Sequence, residues 1–191
     1  MKLTKPFKGM TIENISQTYH SKHPALDICK SSSVASYGTP LCAPEDCTVL
    51  NIVGDKYTPN DTHELEKGYG IYLKGEETGY SYLYWHVLPI LPVNTGDSVK
   101  RGSIIAFMGN AGLVYTNGVY VPIEERTKSP FKGTHLHLEM FDKGYKIGDK
   151  KSFLNPLERI DLSLEPLYST VDLLRATVIV FKKVLAFKKK N

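Results

Sequence analysis

From about residue 40 to residue 141 the apolar positions fall in short runs of period 2, cut apart by glycine-containing turns. That is the signature of half-buried strands. Thr48 to Val53 is a β-branched run ending at Gly54-Asp55. Tyr69 to Leu73 alternates, and Lys74 to Gly79 has hairpin composition. Tyr80 to Val87 is the most aromatic run, and Pro89 and Pro92 end it. Ser103 to Met108 is closed by Gly109-Asn110-Ala111-Gly112, and Gly133 to Met140 forms a last run. No stretch from 28 to 150 has the spacing of a long amphipathic helix. The pattern predicts a mostly β fold, a compact antiparallel β-sheet domain.

Outside these runs the pattern changes. Residues 1–19 form a lead-in of little periodicity, with a short strand expected in Met10 to Ser16. The polar segment 55–67 reads as an exposed loop. Residues 113–132 form a long excursion rich in tyrosine, proline and charge, of a length that usually lines a binding site. The main domain is expected over 20–160 and a basic amphipathic segment over 161–191. In that last segment Leu174, Val178, Phe181 and Leu185 recur at helical spacing. Its apolar run, Ala176 to Phe181, is too short to span a bilayer. Three arrangements stay open: a helix docked on the β domain or on another protein, a helix on a membrane surface, or a partly disordered basic tail.

Charge sharpens this division. The formal net charge is +4, yet from Val171 onward Arg175, Lys182, Lys183, Lys188, Lys189 and Lys190 face only Asp172. The basicity therefore belongs to the C-terminal segment, and the rest of the chain offers no nucleic-acid groove. Cys29, Cys42 and Cys47 are an odd set and read as buried free thiols rather than a disulfide framework. The N-terminal stretch MKLTKPFKGM is basic but has no apolar core, so no signal peptide is expected. Oligomeric state is not encoded in any recognisable pattern.

Histidine carries the candidate chemistry. In Gly133 to Met140, period 2 places His135 and His137 on one strand face and Leu136 and Leu138 on the other. Paired imidazoles of this kind suit a shared metal or proton transfer, although one H-x-H can arise by chance. His23 stands four residues before Asp27, a pair that alone could be a surface hydrogen bond. His86 ends the aromatic run and alone could be a packed histidine. His20 reads as solvent-exposed, with a place beside His23 as the other option. Taken together, His23, Asp27 and His137 offer two nitrogens and one oxygen, a set that suits Zn2+ better than magnesium or calcium and keeps one position open. His86 and His135 then remain as acid/base candidates. The tyrosines Tyr80, Tyr82 and Tyr84 could flank a substrate or close one side of the core.

These motifs, in this order, resemble the LytM/lysostaphin-type zinc peptidases, peptidase family M23. His23-Pro24-Ala25-Leu26-Asp27 resembles the family's H-x-G-x-D. Gly38 to Val49 resembles its GTPV-x-AP block, and Tyr84-Trp85-His86-Val87 its Y-x-H-L. Gly96 to Ala106 with Gly109-Asn110-Ala111-Gly112, and Gly133 to Glu139, resemble the G-D-x-V and G-x-H-L-H blocks. Ala25 and Cys47 depart from the family's glycines, and 113–132 inserts between two blocks that usually lie closer. The resemblance implies an antiparallel β domain with a groove over the metal. It implies His23, Asp27 and His137 as zinc ligands, and His86 and His135 as catalytic histidines. It also implies a peptide of bacterial peptidoglycan as substrate. On this reading the chain is a wall endopeptidase, and the missing leader suggests a phage lysin or virion-associated enzyme that reaches the wall after lysis, by non-classical export or by carriage in a particle. The alternative is a catalytically silent binding or structural module in a larger assembly. Residues 171–191 are the candidate surface for membrane or protein docking.

Overall fold

A computed structural model describes residues 2–29, 37–54, 68–144 and 152–188, with side chains as far as Leu185. The strands are β1 (Leu3–Thr4), β2 (Ile15–Gln17), β3 (Leu26–Ile28), β4 (Pro40–Cys42), β5 (Cys47–Val53), β6 (Gly70–Gly75) and β7 (Ser81–Trp85). They continue as β8 (Ser98–Val99), β9 (Ile104–Phe107), β10 (Tyr115–Thr116), β11 (Val119–Tyr120), β12 (Leu136–Phe141), β13 (Phe153–Leu154) and β14 (Ile160–Asp161). Two helices accompany them, α1 (Ile123–Lys128) and α2 (Thr170–Lys188). The main sheet runs β2-β3-β12-β7-β6-β5-β8, with β13 also on β12, and every pairing in it is antiparallel. The exposed loop expected at 55–67 lies outside the described residues.

The runs of alternation become the central strands. On β12, Leu136 and Leu138 are buried in the core with Leu26 and Ile28 of β3. Tyr82 and Tyr84 of β7 are buried too, which decides between their two readings: they close the core. Burial of a phenol requires a partner for its hydroxyl. Tyr84 donates to the Cys42 carbonyl at 3.0 Å, and Tyr82 donates to the buried Glu45 carboxylate. Glu45 also accepts from the Glu77 and Thr78 amides at 3.0 Å each, so this buried acid is fully hydrogen-bonded.

Three expectations shift. The strand expected in Met10 to Ser16 starts only at Ile15, after a 3-10 turn at Ile12–Asn14. The lead-in nevertheless supplies core residues Leu3, Phe7 and Met10, and β1 pairs in parallel with β14. The excursion at 113–132 folds into the β10–β11 hairpin followed by α1. Ala25 and Cys47, in place of the family's glycines, are both buried and neither takes a positive φ. All three cysteines are free thiols as expected, but only Cys42 and Cys47 are buried; Cys29 is half-buried.

Helix α2 docks on the β domain, but not by the stripe that its spacing picks out. Leu173, Ala176 and Val180 pack against Cys42, Ile104 and Phe107, while Leu174 and Phe181 are each 60% exposed. The helix carries two apolar stripes. The one with the small Ala176 at its middle permits close approach to β9, and the bulkier one is left outside. Lys183 pins the contact, donating to the Leu91 and Val93 carbonyls at 2.9 and 3.0 Å and to Asn94 Oδ1 at 2.9 Å. Among the described residues no helix is long and apolar enough to cross a membrane.

Candidate active site

Strand order brings the scattered histidines together. β12 lies between β3 and β7. In the β3–β12 ladder His137 stands directly opposite Asp27, and in the β12–β7 ladder it stands opposite Trp85. His86 follows Trp85 directly, and His135 stands just before β12. His86 has φ 61°, a left-handed conformation uncommon for a residue with a side chain. Backbone strain of this kind collects at functional sites. Its own carbonyl accepts from the Gly109 amide at 2.8 Å, and the Val87–Met108 bridge follows.

Asp27 is the hub. Its Oδ1 accepts from His137 Nδ1 at 2.8 Å and lies 3.9 Å from His135 Nε2, while His23 Nε2 is 3.3 Å from Oδ2. The His23 and His137 rings meet edge-on with centroids 5.1 Å apart. His86 packs on His135 at 4.6 Å and on His137 at 5.8 Å. All five residues singled out in the sequence therefore converge. His20 is exposed, its ring 5.7 Å from that of His23.

Hydrogen bonds fix the tautomers. His86 Nδ1 lies 2.6 Å from the Ala111 carbonyl and His135 Nδ1 lies 2.8 Å from the Gly133 carbonyl. A carbonyl only accepts, so both rings carry a proton on Nδ1 and keep an Nε2 lone pair. Burial pushes His86 down to about 3, and repulsion from His135 adds to it. Burial also lowers His135, against the pull of Asp27. Both rings are thus neutral near pH 7. Burial alone would raise the Asp27 carboxyl, but the His137 hydrogen bond and the charges of His135, His137 and His23 hold it below the usual range. Burial works against His137 as a cation, yet its hydrogen bonds to Asp27 and Glu139 carry it up to about 9.

Two groups of donor atoms lie close enough to hold one ion, His23–Asp27–His137 and His86–His135–His137, with the atoms of each within 4.8 Å of one another. The first fits better. It includes a carboxylate to offset the charge of a cation. His23 Nε2 is buried and makes no hydrogen bond among the described residues despite the nearby Asp27, as expected of a nitrogen placed for a metal. Two nitrogens and one oxygen are a zinc-type set.

Glu139 is a contributor to which the sequence reading assigned no part. Its Oε1 is 3.3 Å from His137 Nε2, so it orients the ring and leaves Nδ1 facing Asp27. The signal was present in period 2, since Glu139 lies two residues beyond His137 on the same face. The β10–β11 hairpin leaves the site beside Gly112 and α1 leads back to it at Gly133. Gly112, at φ 94°, packs with its backbone against Gly68 and His86, and a Cβ there would sit 3.0 Å from Gly68 Cα.

The sequence profile of peptidase family M23 matches residues 21–148. No curated protein sequence matches the chain. Among solved structures, LytU is similar with 23% identity and a TM-score of 0.48, over 81% of this chain and 81% of that one. The catalytic domain of the antimicrobial peptidase lysostaphin from Staphylococcus simulans gives 18% identity and 0.47, over 82% and 90%. Full lysostaphin gives 19% identity and 0.50, and the match spans 82% of this chain but only 52% of that protein. With the motifs in family order and the profile covering well over half its length, the chain belongs to peptidase family M23.

Proposed function

We propose that the protein is a zinc-dependent endopeptidase that hydrolyses peptide bonds of bacterial peptidoglycan, in the stem peptide or the cross-bridge. The observation that carries this reading is the meeting of His23, Asp27 and His137 beside two imidazoles, His86 and His135, each held through Nδ1 by a backbone carbonyl. His23, Asp27 and His137 would hold the ion, and Glu139 would keep the His137 ring in place. Zinc, when bound, supplies a Lewis acid that polarises a carbonyl and makes water a competent nucleophile near neutral pH. The chain supplies the proton transfers. His86 and His135, neutral because they are buried, between them accept a proton at Nε2 and deliver one to the departing amine. Their fixed tautomers remove a reorientation step. The peptidoglycan substrate follows from the family resemblance. Release by a phage, as a lysin or as part of the virion, is the finer form of the proposal; it predicts that purified protein clears cells whose wall is accessible from outside.

The test is metal content by elemental mass spectrometry, followed by turbidity assays on purified peptidoglycan. About one zinc per chain is expected in the wild type and little in His137→Ala. Chelation should stop hydrolysis and zinc should restore it. A wild-type chain that takes up no zinc after reconstitution overturns the reading.

A further inference from the structure

Arg126 belongs to none of the motifs, yet it is the most deeply buried cation among the described residues, 2% exposed. It sits on α1 within the insertion. Its Nη1 donates to two carbonyls, that of Asn110 and, at 2.8 Å, that of Gly112. Nε and Nη2 are buried with no partner among the described residues. A buried guanidinium carries a desolvation cost that only its partners offset. The two carbonyls it grips bracket Ala111, and the Ala111 carbonyl is the one that takes the Nδ1 proton of His86.

A second tie runs from the same loop in the other direction. Asn110 Nδ2 donates to the Pro130 and Lys132 carbonyls at 3.0 and 3.1 Å. Thr134 Oγ1 donates to the same Pro130 carbonyl at 2.6 Å. Between Lys132 and Thr134 stands Gly133, whose carbonyl holds His135 Nδ1. Gly133 has φ 67°, and a Cβ there would collide with Val114 at 2.7 Å, so the two segments are in close contact at this point. The carbonyls that orient both histidines thus lie on two segments tied together by Arg126 and Asn110.

We propose that Arg126 is a positioning residue. It clamps the 110–112 loop onto the 123–134 segment, so that the Ala111 and Gly133 carbonyls hold His86 and His135 as Nδ1–H tautomers, with His135 Nε2 turned toward Asp27. The clamp rests on the reading of those two histidines as the proton carriers. Lys at this position keeps the charge, but its ammonium stops one atom short of the Nη1 position from which both carbonyls are held; Met keeps an unbranched apolar stem and loses the donors.

The experiment compares wild type, Arg126→Lys, Arg126→Met and Asn110→Ala, each zinc-loaded. Zinc content, peptidase kinetics on a soluble peptidoglycan fragment and the imidazole 15N shifts of His86 are read in parallel. The expected result is unchanged zinc content, a KM within about twofold and a kcat lower by roughly 10- to 100-fold, the scale of a misplaced catalytic group. The His86 nitrogens should move from the two well-separated shifts of one tautomer towards a common average. Asn110→Ala should show the same change at His135, and it carries the test if neither Arg126 variant folds. A folded variant with wild-type kcat and wild-type His86 shifts overturns the clamp. If the wild type itself proves inactive, the functional reading fails, while the 15N shifts still decide whether Arg126 sets the tautomer.

Discussion

His137 serves two neighbours at once, and its titration shows this. In zinc-free protein it is a cation near pH 7, because Asp27 and Glu139 outweigh the cost of its burial. Its folded value, about 9, lies above the ordinary 6.5. The stability it contributes is therefore complete below about 6.5 and is lost as pH rises through about 9. In chelator-treated protein the urea midpoint of wild type should exceed that of His137→Gln by a constant margin in mild acid, and the margin should shrink between pH 7 and pH 10. A flat margin across that window would contradict the Asp27 and Glu139 hydrogen bonds. His86 is displaced the opposite way, to about 3. The unfolded chain takes up a proton there that the folded chain refuses, so His86 costs stability as pH falls below about 6.5. The two histidines also separate in function. His137→Ala should lose both zinc and activity. His86→Ala should keep most of its zinc and lose roughly 100- to 10,000-fold in kcat, the range of a general acid or base. Hydrolysis at the wild-type rate by His86→Ala would remove it from the chemistry.

Elements differ in how openly the sequence announces them. β7 and β12 were legible because alternation maps directly onto a strand with one buried face, and adjacency of the two was the condition for His86 to join His137. β1 and β14 were not legible, since a two-residue strand in parallel pairing leaves no period to detect. Arg126 was hidden for another reason: a cation in a polar insertion looks like solvent-facing charge until α1 turns it inward. In α2 the helical period was legible and the docking face was not, because two apolar stripes share one helix and only tertiary fit selects between them. That selection is testable by thermal melts. Ala176→Glu forces volume and charge into the contact with Ile104 and Phe107, and overpacking alone costs about 1–3 kcal/mol. Leu174→Ser and Phe181→Ser alter exposed positions and should stay within about 0.5 kcal/mol of wild type. The reverse ranking would mean that α2 docks by its other stripe.

At the scale of the whole molecule the core is divided in two, and the cysteines report on each part. Cys47 belongs to the main cluster between the sheet and its covering strands, and Cys42 belongs to the smaller cluster beneath α2. Both are fully buried. Burial pushes the Cys42 thiol up to about 12 and raises Cys47 still further. Neither can react as a thiolate in the folded state at neutral pH, so labelling by a thiol reagent requires opening of the cluster that holds it. Were the two clusters one cooperative unit, Cys42 and Cys47 would label at one rate, that of global unfolding. The smaller cluster, however, is closed on one side by a single helix held through Leu173, Ala176, Val180 and the three hydrogen bonds of Lys183. Undocking α2 exposes Cys42 and leaves the sheet intact. Mass spectrometry of alkylated peptides should therefore find Cys42 labelled well before Cys47, and Ala176→Glu or Lys183→Met should widen the gap by speeding Cys42 alone. Equal acceleration of both would mean that α2 is part of the sheet's own folding unit. Since His23, Asp27, His86, His135 and His137 are all carried by the sheet and the loops at its edge, a variant with a loosened α2 and a protected Cys47 should still take up zinc to the wild-type level.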